Sequence, residues 1–187
     1  PPPMRLPPER MARAIVSGAR YIVHSPSTRT VLLRTLATSV AGGAISALMP
    51  LVSRDLLGGG AETFGILLGA YGVGAVLGAM TLGRVRVKFS DEMILRVCTF
   101  AGGTGIVIVG LSHSLPLTLA VLFVTGAFWT LCFSVFNIEL QISAPRWVAG
   151  RALAAFQAGA AGGAGLGAAL WGIIARNNGT EAALVAS

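Results

Sequence analysis

Four stretches of the chain lack Asp, Glu, Lys and Arg, and they constrain its fold more than any other feature. They cover 35–53, 63–83, 97–138 and 152–175, and are 19, 21, 42 and 24 residues long. A helix needs about 20 apolar residues to cross a bilayer, whose hydrocarbon core is roughly 30 Å thick. Because Ser112-His113-Ser114 and Pro116 divide the longest stretch, the sequence predicts five membrane-spanning helices.

The predicted spans lie near 31–53, 63–83, 93–111, 116–138 and 152–175, and a truncated sixth begins at Ala182. Only 11% of the residues are charged, against about a quarter in soluble domains. Apolar and polar residues do not alternate as they do in outer-membrane strands. We therefore expect an all-α polytopic bundle (31–187) in contact with the lipid bilayer. The chain starts at Pro1 and ends inside an apolar stretch, so we expect a piece of a longer protein.

The basic residues predict the orientation of the bundle. Of the 14 basic residues, only Arg54 and Arg176 fall on the side opposite the N-terminal segment. Since cytoplasmic loops carry an excess of Lys and Arg, the N-terminal segment is predicted to be cytoplasmic. The expected location of the multi-pass chain is the cell's inner (plasma) membrane. The charge lies in short loops, where it orients the protein and contacts anionic headgroups. No nucleic-acid partner is expected.

Residues 1–30 differ from the rest of the chain. A Pro-rich lead-in precedes 9–24, where basic residues recur three or four apart on one helical face and apolar residues on another. This pattern is typical of a basic amphipathic helix at the cytoplasmic interface. Recruitment of a protein partner by this helix is the alternative.

The sequence contains no motif of an enzyme or a metal site. His24 and His113 fall on opposite sides of the predicted membrane, and Cys98 and Cys132 lie in different spans without CxxC spacing. Ser90-Asp91-Glu92 opens a helix, so capping and dipole compensation account for its carboxylates. We predict a protein that is not an enzyme and has no cofactor or metal.

Glycines recur at close helical spacing in several spans. Small residues four apart let helix backbones approach closely, in static packing or in sliding, and the sequence leaves both open. Gly42-Gly43 and Pro50 predict a first span that flexes. The predicted packing pairs are Gly65/Gly69, Gly74/Gly78, Gly159/Gly163 and Gly163/Gly167.

Three passages resemble the second half of a major facilitator superfamily transporter, in its enterobactin-exporter-like, transmembrane secretion effector branch. The first is SGARYIV with HSP (17–26), which resembles the loop before the seventh helix. The second is GVGAVLG (72–78) running into RVRVK (84–88), which is similar to the eighth helix and its basic loop. The third, NIELQ (137–141) followed by PRWV and GRA (145–152), resembles the loop between helices ten and eleven.

The resemblance implies that the spans are helices seven to eleven of a twelve-helix fold. Helices seven and ten would line a central cavity shared with the N-terminal half, and helices eight and eleven would lie between the halves. The implied function is secondary active export of small organic molecules. A non-transporting membrane scaffold with a partner-recruiting amphipathic segment is the alternative.

The resemblance also indicates gating residues in the cytoplasmic loops. Leu82 stands where the superfamily usually has an acid, so a charge relay built on that acid is not expected. Glu139 either pairs with a loop arginine or titrates in a coupling cycle. The predicted gating residues are Arg84, Arg86, Lys88, Glu139, Arg146 and Arg151.

Substrate contacts are predicted on the fourth span. Trp129 lies near mid-span, where Trp is unusual, and Phe133 and Asn137 follow four and eight residues later on the same face. Polar or aromatic groups at membrane depth are functional candidates. Packing against neighbouring helices is the alternative for this stripe. The weaker substrate candidates are Ser39, Tyr71 and Gln157.

Overall fold

The computed structural model of the protein describes residues 20, 24–145 and 148–187, and this part of the chain contains helices and turns but no strand. A π-helical turn (Val52–Leu56) extends the first helix. The α-helices are α1 (Pro26–Leu51), α2 (Ala61–Lys88), α3 (Asp91–Leu111), α4 (Leu115–Ser143), α5 (Ala149–Asn178) and α6 (Thr180–Ala186).

Five of these helices, α1 to α5, are long and apolar enough to cross a membrane. This confirms the predicted fold class, a polytopic helical bundle, and the number of spans. The 28 residues of α2 extend about 42 Å at 1.5 Å per residue. Since that exceeds the hydrocarbon core, α2 either tilts or projects beyond it.

The helices are longer than the uncharged stretches that predicted them. The first one begins at Pro26, not at 31, because proline's fixed φ suits the first helical turn. The fourth continues to Ser143, past the predicted end at 138. Charged side chains such as Glu139 thus belong to helix ends and not to loops. The predicted amphipathic helix over 9–24 lies, apart from Arg20 and His24, outside the described residues.

The bundle consists mainly of two helix pairs. Helix α1 packs along α5, and α2 packs along α4; α3 joins α4, and α6 fits against α3 and α5. Each pair meets along what we call a seam, where glycine brings the two backbones together. In the α2–α4 seam, a Cβ on Gly74 would overlap the Phe123 carbonyl, and one on Gly78 would lie 2.8 Å from the Ala127 Cα.

The α1–α5 seam uses glycines from both helices. A Cβ on Gly43 would lie 2.7 Å from the Ala164 carbonyl oxygen, and one on Gly167 would overlap the Val40 carbonyl. Trp171, only 9% exposed, donates an Nε1–H hydrogen bond of 2.8 Å to the Val40 carbonyl. Its indole therefore joins α5 to α1.

Other predicted packing glycines do not meet a second helix within the described residues. A Cβ on Gly65, Gly69 or Gly159 would have no described neighbour within 4 Å. Gly65 lies nine residues before Gly74, about half a turn away around a helix with 3.6 residues per turn. The glycines of α2 therefore occupy two faces, and only one of them forms the seam.

Two apolar cores fill the bundle. The first core is nearest the α2–α3 turn and includes Ile94, Leu131, Val135, Phe136 and Phe156. The second core lies towards the other end and includes Leu48, Leu67, Ile106, Leu122 and Trp171.

Polar contacts join the elements at each end of the bundle. At the α2–α3 end, Arg34 of α1 pairs with Glu92 of α3 at 3.0 Å, and Ser27 donates a hydrogen bond to Ser143 of α4. At the opposite end, Thr180 donates a 3.2 Å hydrogen bond to Asp55. The start of α1, the α2–α3 turn and the end of α4 thus share one end, as consecutive antiparallel spans require.

The seams predict opposite outcomes for two glycines of α2. We expect Gly74→Ala to lower the free energy of unfolding by about 1–3 kcal/mol, the usual result of overpacking, because the new methyl would overlap the Phe123 carbonyl. The matched control, Gly69→Ala, has open space and should leave stability unchanged or raise it, since alanine favours helix. Thermal unfolding of the detergent-purified variants measures the difference. Equal melting temperatures would contradict the seam.

Candidate functional site

Three aromatic rings form a cluster between α4 and α5. The ring centroids of Trp129 and Phe133 lie 5.1 Å apart, one turn from each other on α4. Phe133 in turn meets Phe156 of α5 edge-on, with centroids 6.2 Å apart. Such offset and edge-on arrangements are the favourable ones for aromatic pairs. Phe156 is buried and the two α4 rings are half-buried, so the cluster reaches the bundle's surface.

The Trp129 indole lies against a glycine of α1. A Cβ on Gly42 would fall inside the ring, so only glycine fits beneath it. The next residue, Gly43, faces α5. The glycine pair that predicted a flexible first span thus forms close contacts on both of its sides, and α1, α4 and α5 meet at this depth.

The stripe of α4 ends in two amides. Asn137 is half-buried, and its side-chain oxygen accepts a hydrogen bond from the Gln141 amide, one turn further along α4. The packing interpretation of Asn137 had it bonding a neighbouring helix, whereas this bond lies within its own helix. One face of α4 therefore runs from indole to phenyl to amide.

The weaker substrate candidates lie elsewhere. Ser39 is 1% exposed and faces the α1–α5 seam, where a Cβ on Gly163 would lie 2.8 Å from its own Cβ. Within the described part of the chain its hydroxyl has no hydrogen-bond partner. Tyr71 packs with the second core, and its carbonyl approaches Gly126. Gln157 is exposed on α5.

Charged side chains gather at the α2–α3 end. Arg86 holds Asp91 with two hydrogen bonds of 2.8 Å, which fasten the end of α2 to the start of α3. Glu92 accepts from Arg34 at 3.0 Å and from Arg96 at 3.2 Å. Exposed pairs of this kind contribute about 0–1 kcal/mol each, so they align helix ends more than they stabilise the fold.

The carboxylates of α3 do more than the sequence indicated. Ser90 caps the helix as predicted, accepting a hydrogen bond from the Met93 N–H at 3.4 Å. Asp91 and Glu92, expected only to complement the helix dipole, also pair with arginines of α2 and α1. Asp91 follows Arg86 by five residues across a tight turn, and that spacing was a local signal for the first pair. Nothing local indicated the pairing of Glu92 with Arg34.

A polar pocket of about 480 Å³ opens beside the charged side chains at the α2–α3 end. Its lining brings together Arg34, Asp91, Glu139 and Ser143 with the first turn of α1. Glu139 therefore faces a basic and an acidic side chain from two other helices. Its predicted partner Arg146 lies outside the described residues, and pairing with Arg151 stays a prediction.

The basic residues at the end of α2 differ in whether an acidic side chain pairs with them. Arg86 is engaged by Asp91, whereas Arg84 and Lys88 are exposed. Leu82, at the position where the superfamily usually has an acid, packs against the first core. The acidic partner of Arg86 is Asp91, on the following helix.

The thiols and histidines form no metal centre in the described residues, where no three His, Cys, Asp or Glu side chains come together. Cys98 and Cys132 are both buried in the first core and behave as small apolar groups.

Comparison with known families matches the observed architecture. The sequence profile of the family described as transmembrane secretion effector, a major facilitator superfamily group, matches residues 1–187. The chain belongs to this family. No curated protein and no solved structure matches it significantly. As a member of this family, the chain is a multi-pass membrane protein of a transporter family. Its aromatic cluster lies between α1, α4 and α5, and its charged side chains gather at the α2–α3 end.

The contact between Gly42 and Trp129 can be tested by tryptophan fluorescence. We expect Gly42→Ala, made with Trp147 and Trp171 replaced by Phe, to shift the Trp129 emission, because the methyl displaces the indole. We also expect the free energy of unfolding to fall by about 1–3 kcal/mol. Gly159→Ala in the same background, where a Cβ meets nothing, is the control and should leave the spectrum unchanged. An identical spectrum for Gly42→Ala would refute the contact.

Proposed function

We propose that this chain supplies one half of the central cavity of a secondary exporter of small organic molecules, and that an N-terminal half of the same transporter completes it. Membership of a transporter family supports transport over the scaffold alternative. The resemblance to the enterobactin-exporter-like branch supports export as the direction. The positive-inside distribution supports an inner-membrane protein with a cytoplasmic N-terminal segment.

The burial of the helices supports a missing partner half. In their most apolar windows, α2 and α5 are 17% and 22% buried, whereas α1, α3 and α4 are 39–50% buried. The resemblance places helices eight and eleven, which are α2 and α5, between the two halves. The two helices with the least buried surface are thus the two that we propose to be covered by the N-terminal half.

The aromatic cluster with its adjoining amides carries the proposal for the substrate. Trp129 and Phe133 offer a half-buried apolar surface, and Asn137 offers a hydrogen-bonding group one turn further along. Sites for organic ligands combine apolar and aromatic walls with a few polar groups that fix orientation. We assign the binding of an amphipathic organic molecule to this face. Gln157, which is exposed on α5, is kept as a weaker candidate. Ser39 and Tyr71 are packed between helices, so we do not assign them to this face.

The gating assignment rests on the α2–α3 end. Arg86 and Asp91 hold the basic turn, and Glu139 faces a polar pocket that Arg34 and Asp91 also line. A change in the separation of α1 and α4 would alter this pocket directly. We therefore retain the predicted gating set, Arg84, Arg86, Lys88, Glu139, Arg146 and Arg151, as part of the proposal.

Export assays with two aromatic truncations test the substrate face. We expect Trp129→Ala in the full transporter to reduce export about five-fold per folded molecule, because one aromatic contact contributes about 1 kcal/mol. Cells loaded with a panel of aromatic cationic and neutral dyes provide the rates. Phe128→Ala is the matched control, since Phe128 is on the same helix but packs against the first core. It should lower folded yield and leave the rate per molecule unchanged.

The two aromatic truncations can also contradict the assignment. If export fell only in proportion to folded yield in both variants, Trp129 would be a packing residue. The substrate face would then have to lie elsewhere on the bundle.

A further inference from the structure

An apolar groove of about 260 Å³ opens between α2, α3 and α4 at the α2–α3 end. Its floor includes Cys98 and Leu131 of the first core, which are 4% and 6% exposed. Its rim includes Phe89, Met93 and Val97, which are 47%, 50% and 47% exposed. The groove therefore runs from the outer surface of the bundle down to buried side chains, and every residue that lines it is apolar.

Two exposed cations, Arg84 and Lys88, adjoin in sequence the lining residues Val85 and Phe89. Arg84 and Lys88 are four residues apart and thus share a face of α2, and Val85, which lines the groove, lies between them in sequence. Within the described part of the chain neither takes part in an ion pair, whereas Arg86 and Arg96 are paired with Asp91 and Glu92. The end of α2 thus presents two uncompensated positive charges next to an apolar opening.

We infer that the groove binds one acyl chain of an anionic phospholipid, whose phosphate headgroup lies against Arg84 and Lys88. A helix that crosses a membrane has lipid as its surroundings, so an acyl chain reaches the open rim without any further partner. Basic residues at the membrane surface attract anionic headgroups by about five-fold each in binding. This inference depends on the membrane-spanning fold and not on the substrate that is exported.

The charge beside the groove favours an anionic phospholipid over an uncharged occupant, because Arg84 and Lys88 are exposed next to the lining residues Val85 and Phe89 in sequence. A neutral amphiphile would fill the apolar part but would leave Arg84 and Lys88 without a counter-charge. A phospholipid with net negative charge satisfies both parts at once.

A second groove, between α3 and α4, provides an internal control. It has a volume of about 390 Å³ and is lined by apolar and small residues that include Phe100, Ile108 and Val124. Both of its walls belong to the uncharged stretch 97–138. This control groove should accept acyl chains without regard to headgroup.

Photo-crosslinking in vesicles tests the inference. The full chain is reconstituted in phosphatidylcholine vesicles that contain a trace of a photoreactive lipid with a diazirine on one acyl chain. The photoreactive lipid is phosphatidylglycerol in one sample and phosphatidylcholine in the other. Labelled peptides are then mapped by mass spectrometry. We expect the phosphatidylglycerol probe to label 89–97 at least about five-fold more than the phosphatidylcholine probe. The control groove should be labelled equally by both probes.

Two variants separate the headgroup from the acyl chain. The double variant Arg84→Gln with Lys88→Gln changes only exposed side chains. It should abolish the preference of the groove for the phosphatidylglycerol probe, while both probes still label 89–97 at the level of the phosphatidylcholine probe. Val97→Trp should fill the groove and reduce labelling by both probes, whereas Ile108→Trp, in the control groove, should not alter labelling of 89–97. Gel filtration and thermal unfolding report whether each variant is folded.

Three results would overturn the inference. Equal labelling of 89–97 by the two probes would show that binding in the groove does not depend on the charge of the lipid headgroup. A preference that survives Arg84→Gln with Lys88→Gln would place the headgroup elsewhere. Absence of labelling at 89–97 by either probe, with the control groove labelled, would show that another part of the protein covers the groove. None of these results would bear on whether the chain exports organic molecules.

Discussion

The approach of one helix backbone to another at glycine is the contact on which this bundle depends. Lipid tails are as apolar as leucine, so burial of side chains gives membrane helices little reason to associate, and close packing must supply the attraction. Gly74 meets the Phe123 carbonyl in one seam, and Gly167 meets the Val40 carbonyl in the other. The aromatic cluster and the charged group are positioned because these two seams fix α1 against α5 and α2 against α4.

The fold class and the number of spans could be predicted because bilayer thickness sets the length of an uncharged helix. The helix ends could not, since Arg34 and Glu139 lie within helices although both are charged. Glycine spacing predicted the seams only in part. The spacing indicated Gly69 and Gly74 equally, but of the two only Gly74 meets a second helix among the described residues. A pattern on one helix does not say which of its faces has a neighbour.

The candidate site divides in the same way between local and long-range information. Trp129 and Phe133 were expected to share a face, and they do, because residues four apart on a helix are neighbours. The contact of Trp129 with Gly42 joins two spans far apart in sequence, and no local pattern indicated it. Similarly, Ser90 was recognisable as a helix cap, but the bond from Arg34 to Glu92 depends on how α1 and α3 are arranged in space.

The indole of Trp129 fills space that opens only because position 42 has no side chain. The side chains at positions 42 and 129 therefore occupy one shared space, so a larger side chain at one position requires a smaller side chain at the other. Among related sequences, a larger residue at position 42 should accompany a smaller one at position 129, and a tryptophan there should accompany glycine. Such paired replacement would mark positions 42 and 129 as one inherited unit, although they lie in separate helices.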